Sequence, residues 1–268
     1  WLTAAALILL TVRRWPAAAV ALLAFVAADL HRHNGGLPYN AAPADALAGF
    51  GDADQRLADE LRNRLIADGP WRAEIFGLGG AWQSVPLVAR LEQSLGYNPI
   101  RLAAYESATG ARQNSHTMER ARPPGFSRYD DDLPRRLGIR VVATGEALAD
   151  PAALGLSPGQ PMAGAWFYAN TTALPRVMAE PGVATLLHRT TTSVRIAVTL
   201  PVAGRLVLHD LYYPAWTATA DRRPLPVERY GGLFRSVRLP AGQHIVEFEY
   251  RPMRPGHLLD LLFSIGRR

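Results

Sequence analysis

Carboxylates, tyrosines and arginines carry what chemistry this chain offers. The carboxylates that pair by spacing are Asp221 with Glu228 and Glu247 with Glu249. A glycosidase would need two of them facing each other across a sugar, roughly 5–9.5 Å apart. Glu247 and Glu249 alternate with Val246, Phe248 and Tyr250, so the solvated side of an edge hairpin accounts for them completely. Asp29, His31 and His33 have a spacing that could be read as a metal trio, but no fourth ligand is placed by the sequence and a polar helix end explains them as well. Asp130–Asp132 either binds a cation or caps a short helix over Leu133–Leu137. There is no GxSxG elbow, no HExxH and no cysteine nucleophile, and Gly79-Gly80 lacks the further glycines and the lysine of a phosphate loop. No catalytic residue, metal ligand or cofactor is assigned. The aromatic group Tyr212, Tyr213, Trp216 and Tyr230 offers more. Such rings can stack on sugars; equally, Trp216 can fill a sandwich core while a tyrosine pins a corner.

The composition bounds the class. The chain has 268 residues, of which 49% are apolar and 19% charged, so it can bury a sizeable core. Its formal charge is +6, and all 29 basic residues are arginine. They are scattered among acids rather than clustered, which argues against a nucleic-acid partner. With no cysteine there is no disulfide framework and no thiolate metal site, and the compartment stays open. The first residue is Trp1, which reads as a segment of something longer or a processed product.

Several elements must position these residues. Trp1–Leu10 is apolar, Arg13-Arg14 interrupts, and Ala17–Ala28 is apolar again. The favoured reading is a truncated transmembrane helix, an Arg-bearing cytoplasmic turn, and a slightly short second helix leading outward. The rival is a secretory signal with a cleavage site at Val26-Ala27-Ala28. Both export the rest. Asp52–Ala67 is an amphipathic helix with Leu57, Leu61 and Leu65 on one stripe, followed by a strand over Arg72–Leu78. Helices are expected at Val85–Leu95 and Ile100–Ser107, and Arg112–Tyr129 reads as a surface loop. Strands are expected at Gly138–Thr144, Ala165–Ala169 and Val177–Ala179, then one or two within Thr185–Leu200. From Arg205 to Pro252, short alternating runs with turn signals predict a small antiparallel sandwich. In its first strand Leu206, Leu208 and Asp210 alternate with Val207, His209 and Leu211, the pattern of a half-buried strand. Gly256–Gly266 is an apolar tail too short to span.

The stretch LHDLYYPAWTATADRRPLPVERYGGLFRSVRLPAGQHIVEFEYRP resembles the ending of the YfhO family of bacterial multi-spanning membrane proteins. There a strand is followed by YYPGW, a DG turn, a strand and PAGxHxVxFxYxP. Leu95-Gly-Tyr-Asn-Pro-Ile100 with Tyr105, Leu137–Thr144, and Tyr168-Ala-Asn170 with Leu174-Pro-Arg176 are similar to further family segments in the same order. Ala215 stands where the family has Gly, and Arg222 where the DG turn has Gly, so a different turn type is expected there. The resemblance covers about Asp29–Pro252. It implies a glycosyltransferase-C-like protein of the bacterial cell membrane, acting with polyprenyl-phosphate-linked sugar. The catalytic loop of such proteins lies among early membrane helices that this chain lacks.

The expectation is therefore an α+β chain: transmembrane segments over 1–30, an extracytoplasmic α/β region over 31–182, a β-sandwich over 183–254 and an apolar tail over 255–268. The bulk lies outside the membrane, with the bilayer, lipid-linked sugar and an envelope glycan acceptor as partners and an accessory role in positioning the acceptor. Tyr97, Asn98, Asn170, Arg176, Tyr212, Tyr213 and Trp216 are the candidates to contact glycan or lipid phosphate. Arg176 stands out because a guanidinium fork can hold a phosphate or carboxylate. The alternatives are a non-enzymatic carbohydrate-binding or adhesion module and an exported hydrolase.

Overall fold

The computed structural model of the protein describes residues 16–34, 51–67, 69–79, 82, 85–95, 102–110 and 122–252. The chain divides into two compact units, Trp1–Gly51 and Asp52–Arg268. In the first, helix α1 spans Pro16–Asn34. Among the described residues no helix is long and apolar enough to cross a membrane, which corrects the expected transmembrane segment there. Asp29, His31, Arg32 and His33 occupy the last turns of α1 and confine its apolar run to Ala17–Ala28. Such a run is about 18 Å long, against about 30 Å for a bilayer core. The expected run Trp1–Leu10, the pair Arg13-Arg14 and the tail Gly256–Gly266 lie outside the described residues.

The second unit begins with α2, Asp52–Ile66, whose stripe Leu57, Leu61 and Leu65 is buried together with Ala58. Helix α2 packs on β1, Arg72–Phe76, and β2, Ile139–Thr144. These two strands are parallel. The crossover between them carries the short helices α3, Val85–Val88, α4, Ala103–Thr109, and α5, Asp132–Arg136. The helix expected over Val85–Leu95 stops early. Arg90 turns the chain at φ 56, and the segment after it runs beside β1, with Ala73 donating to Glu92 O and Ser94 donating to Ala73 O. Those bonds satisfy the free edge of β1, which a continued helix could not do. With β3, Gln160–Met162, and β4, Ala165–Ala169, the sheet runs β1-β2-β4-β3.

The sandwich follows: β5 Val177–Glu180, β6 Val183–Arg189, β7 Ser193–Leu200, β8 Gly204–Leu211, β9 Trp216–Ala220, β10 Arg223–Leu225, β11 Glu228–Tyr230, β12 Phe234–Leu239 and β13 Gly242–Tyr250. One sheet runs β10-β9-β13-β7-β6, the other β11-β12-β8-β5, and every pairing is antiparallel. Ile196, Val198, Leu206, Leu208, Val237, Val246 and Phe248 fill the space between the sheets. A second core, with Phe126, Tyr129, Ile139 and Tyr168 from the α/β layer, takes in Leu233 and Phe234 of the sandwich. That second contact changes β8. Expected as half-buried, it is buried on both faces over Leu206–His209, because the α/β layer covers the side away from the sandwich core.

Candidate functional site

Strand β8 ends at Leu211, and Tyr212–Ala215 carries the chain across to the other sheet, where β9 begins. Pro214 offers no N–H to a ladder, and Ala215 has a positive φ of 78, which reverses the backbone. Both sides of this corner are tied: Tyr212 N–H donates to Leu233 O at 2.6 Å, and Arg251 N–H to Ala215 O at 2.9 Å. The Tyr212 ring lies under the Arg229 guanidinium at 4.8 Å, and Tyr213, 41% exposed, lies 6.2 Å from the Tyr250 ring. Between the corner and α4 is a pocket of about 190 Å³, walled by Tyr212, Tyr213, Pro214 and Arg229 on one side and by Leu102 and Tyr105 on the other. A second hollow of about 380 Å³ shares Ala104, Gly232 and Leu233 with it and reaches Arg136.

Trp216 belongs to a different environment. It is half-buried and packed against the sandwich core, with the Arg235 guanidinium 3.7 Å from its ring centre and Tyr250 at 5.5 Å. It does not line the pocket. Asn170 is fully buried. Its Nδ2 donates to Tyr129 O and Ile139 O at 2.8 and 2.9 Å, and its Oδ1 accepts from Thr172 N at 3.0 Å and Thr172 Oγ1 at 2.7 Å. Every polar atom of that amide is occupied in holding a turn to the sheet. Tyr97 and Asn98 lie outside the described residues. The structure thus brings together Tyr212 and Tyr213 at the pocket, and separates Asn170 and Arg176 from them.

Arg176 joins a polar plug at the end of the sandwich interior. It is 4% exposed and grips Glu92 with both terminal nitrogens, NH1 at 3.1 Å from Oε1 and NH2 on Oε2. Glu92 also takes Arg189. Asp210 receives Arg72 at 2.5 Å, Arg235 at 3.4 Å and Arg176 Nε at 3.5 Å. Arg72 also donates to Leu137 O and His209 O, so the plug ties β1 to β8. Four guanidinium groups meet two carboxylates, a formal surplus of two positive charges. Burial works to raise the pKa of Asp210, but the fields of Arg72, Arg176, Arg235 and Arg189 overcome it and hold the carboxyl at about 2. Burial pulls Arg72 and Arg235 down to about 10, still charged at neutral pH. His209 is lowered by burial against an opposing bond from Nδ1 to Pro175 O, so it is neutral, with Nδ1 as the donor.

Elsewhere the carboxylates already have partners. Glu247 pairs with Arg195, Glu249 with Arg251, Glu228 with Arg205 and Arg238, and Asp221 with His244. Among the described residues no group of three or more acidic or histidine side chains is placed to hold a metal ion. The corner thus presents aromatic surface to a small pocket, and the carboxylates that the spacing singled out, Asp221, Glu228, Glu247 and Glu249, each face a basic partner. Sequence reading missed Arg229, Leu102, Ala104, Asp210 and Arg235. Arg229 is adjacent to Tyr230, but nothing in the local spacing shows that it crosses over Tyr212, since that contact depends on sheet pairing. Comparison with known protein families, curated proteins and solved structures gives no match.

Proposed function

We propose that this chain is the extracytoplasmic part of a membrane-associated bacterial envelope protein of the YfhO kind, and that its role is accessory, to hold a glycan at the aromatic corner. The observation that carries the reading is the pocket between Tyr212, Tyr213 and the α4 segment. Two tyrosines supply apolar ring faces with polar rims, the combination that sugars require. The volume is below the ~300–1,000 Å³ of drug-sized sites, which suits one sugar ring. The resemblance gains support from its own departures. At residues 215 and 222, where the family has Gly, this chain has Ala and Arg on left-handed backbone, φ 78 and 68, which Gly favours.

Lipid-linked sugar as donor rests on the family resemblance, and its chemistry belongs to protein outside this chain. The apolar run Ala17–Ala28 of α1 is the element proposed to meet the bilayer. A second reading, a non-enzymatic glycan-binding or adhesion module, is favoured by the carboxylates being engaged by arginine or histidine. Saturation-transfer NMR of the full chain with a neutral N-acetylglucosamine disaccharide tests the shared core of both. Tyr213→Ala is expected to weaken binding about five- to tenfold with only a small change in melting temperature, since Tyr213 is an exposed residue outside the two cores. Unaltered binding in that variant overturns the corner as the site. Transfer of sugar by the longer protein, or its absence, then separates the two readings.

A further inference from the structure

Resting on that glycan reading, we infer that the site is a two-ring groove selective for a saccharide bearing a carboxylate, with Arg229 as the group that reads the acid. Three observations converge. First, the corner pocket and the neighbouring hollow share Ala104, Gly232 and Leu233, so a ligand ring in one continues into the other. The joint has a low floor: a Cβ built on Gly232 would meet nothing within 4 Å, and Ala104 presents only a methyl group. Second, Arg229 is exposed on the wall of the corner pocket, and among the described residues no carboxylate pairs with it. Its guanidinium carbon lies 4.8 Å from the centre of the Tyr212 ring, a cation–π contact that places the group over the pocket wall without pairing its charge. Third, Arg229 stands directly opposite Arg235 across the β11–β12 pair. Arg235 belongs to a plug with surplus positive charge, so the strand pair presents an electropositive side to an anion at Arg229.

The charge count selects the acid. At the far end of the groove Arg136 is already neutralised by Asp132, Nε to Oδ1 at 2.7 Å. Among the described residues one open guanidinium therefore faces the ligand. A single fork matches a carboxylate in bidentate geometry and charge, whereas a phosphate dianion would need a second free cation in the groove. A uronic acid residue, with its flat ring and single carboxylate, fits both the aromatic wall and the fork.

The test titrates the full chain, at fixed ionic strength, with digalacturonic acid, its methyl ester and galactose 6-phosphate. The ester removes the charges and keeps the rings. The acid is expected to bind about tenfold tighter than the ester, the scale of one charge-assisted hydrogen bond. Arg229→Gln is expected to bring that ratio to about one. Ala104→Trp, on the exposed side of α4, is expected to weaken acid and ester alike, because it fills the joint. Equal affinity for acid and ester, a ratio that survives Arg229→Gln, or tighter binding of the sugar phosphate overturns carboxylate selection and leaves the glycan reading standing. If acid, ester and neutral N-acetylglucosamine disaccharide all fail to bind, the glycan reading falls and this inference falls with it. Should Ala104→Trp not fold, the ester comparison in Arg229→Gln decides alone.

Discussion

Asp210 sits where the apolar interior of the sandwich gives way to charge: Leu206 and Leu208 point between the sheets, and the next residue on that face is a carboxylate surrounded by guanidinium groups. A buried ion pair is weak evidence of net stabilisation, but breaking one leaves uncompensated charge. Asp210→Asn keeps the shape and removes the charge, and is expected to cost about 3 kcal/mol in urea denaturation. The double variant Asp210→Leu with Arg235→Met should be less destabilised than the sum of its single changes, because the two charges leave together. A sum that is simply additive would remove Asp210 from the centre of the plug. The pH dependence follows chiefly from the two buried depressed groups. His209 is lowered in the folded state, so its contribution is present above its unfolded value near 6.5 and declines as pH falls below it. Asp210, at about 2 when folded and about 3.9 when unfolded, contributes about 2 kcal/mol above pH 4 that is lost between pH 4 and 2. Acid titration of the melting temperature should therefore fall in two stages, and Asp210→Asn should shrink the lower one. The exposed Asp130 and Asp221, also held below the usual carboxylate range by Arg128 and His244, add to that stage.

At the scale of elements, the hairpin between β9 and β10 is informative. Ala220 pairs with Arg223, leaving a two-residue loop of Asp221 and Arg222 with φ 49 and 68. Two positive φ values make this a type I′ turn, the type that suits the strand twist. The expectation of a different turn type is thus corrected: Arg222 is held on left-handed backbone because the flanking strands impose it. Asp221 offsets part of the strain by accepting the Ile245 N–H at 3.0 Å and pairing with His244 at 2.8 Å. Left-handed backbone costs an ordinary residue about 1–2 kcal/mol. Arg222→Gly and Ala215→Gly are each expected to raise the stability by about 1 kcal/mol, with a higher urea midpoint and unchanged slope. A loss of stability in both would show that side-chain contacts at these corners outweigh the backbone term.

For the whole molecule, the second core and the plug join the α/β layer to the sandwich, through Leu233 and Phe234 in one case and Arg72 with Asp210 in the other. A fragment from Asp52 to Pro252 is accordingly expected to melt in a single transition by calorimetry, despite containing three sheets. Two resolved transitions would mean that these contacts carry little energy. The same fragment lacks α1. The full chain is expected to float with phospholipid vesicles in a density gradient and the fragment to remain below, an outcome that equal flotation of both would contradict.

Periodicity was enough to define most strands of the second unit. Alternation at Ile245–Tyr250 and in Ser193–Leu200, the stripe of α2, and the turn residues after Leu211 and Leu239 express local rules that need no partner. That the chain is α+β with antiparallel sheets packed together was legible for the same reason, whereas the expected start of the sandwich at residue 183 left out β5, which pairs with β8. Other features depended on what the chain meets in space. The segment after Arg90 leaves its helical pattern because the edge of β1 offers hydrogen bonds. Arg222 keeps its turn because two strands hold it. The candidate site divides in the same way. Tyr212 and Tyr213 are adjacent in sequence, so their shared corner could be read directly. Arg229 reaches them from β11, and Leu102 and Ala104 together from the start of α4, while Arg176 is drawn away into pairing with Glu92. Local sequence carries the period of an element and the residues of a turn, while contacts between distant segments are decided by the free energy of packing and charge pairing, which exists only once the sheets have closed.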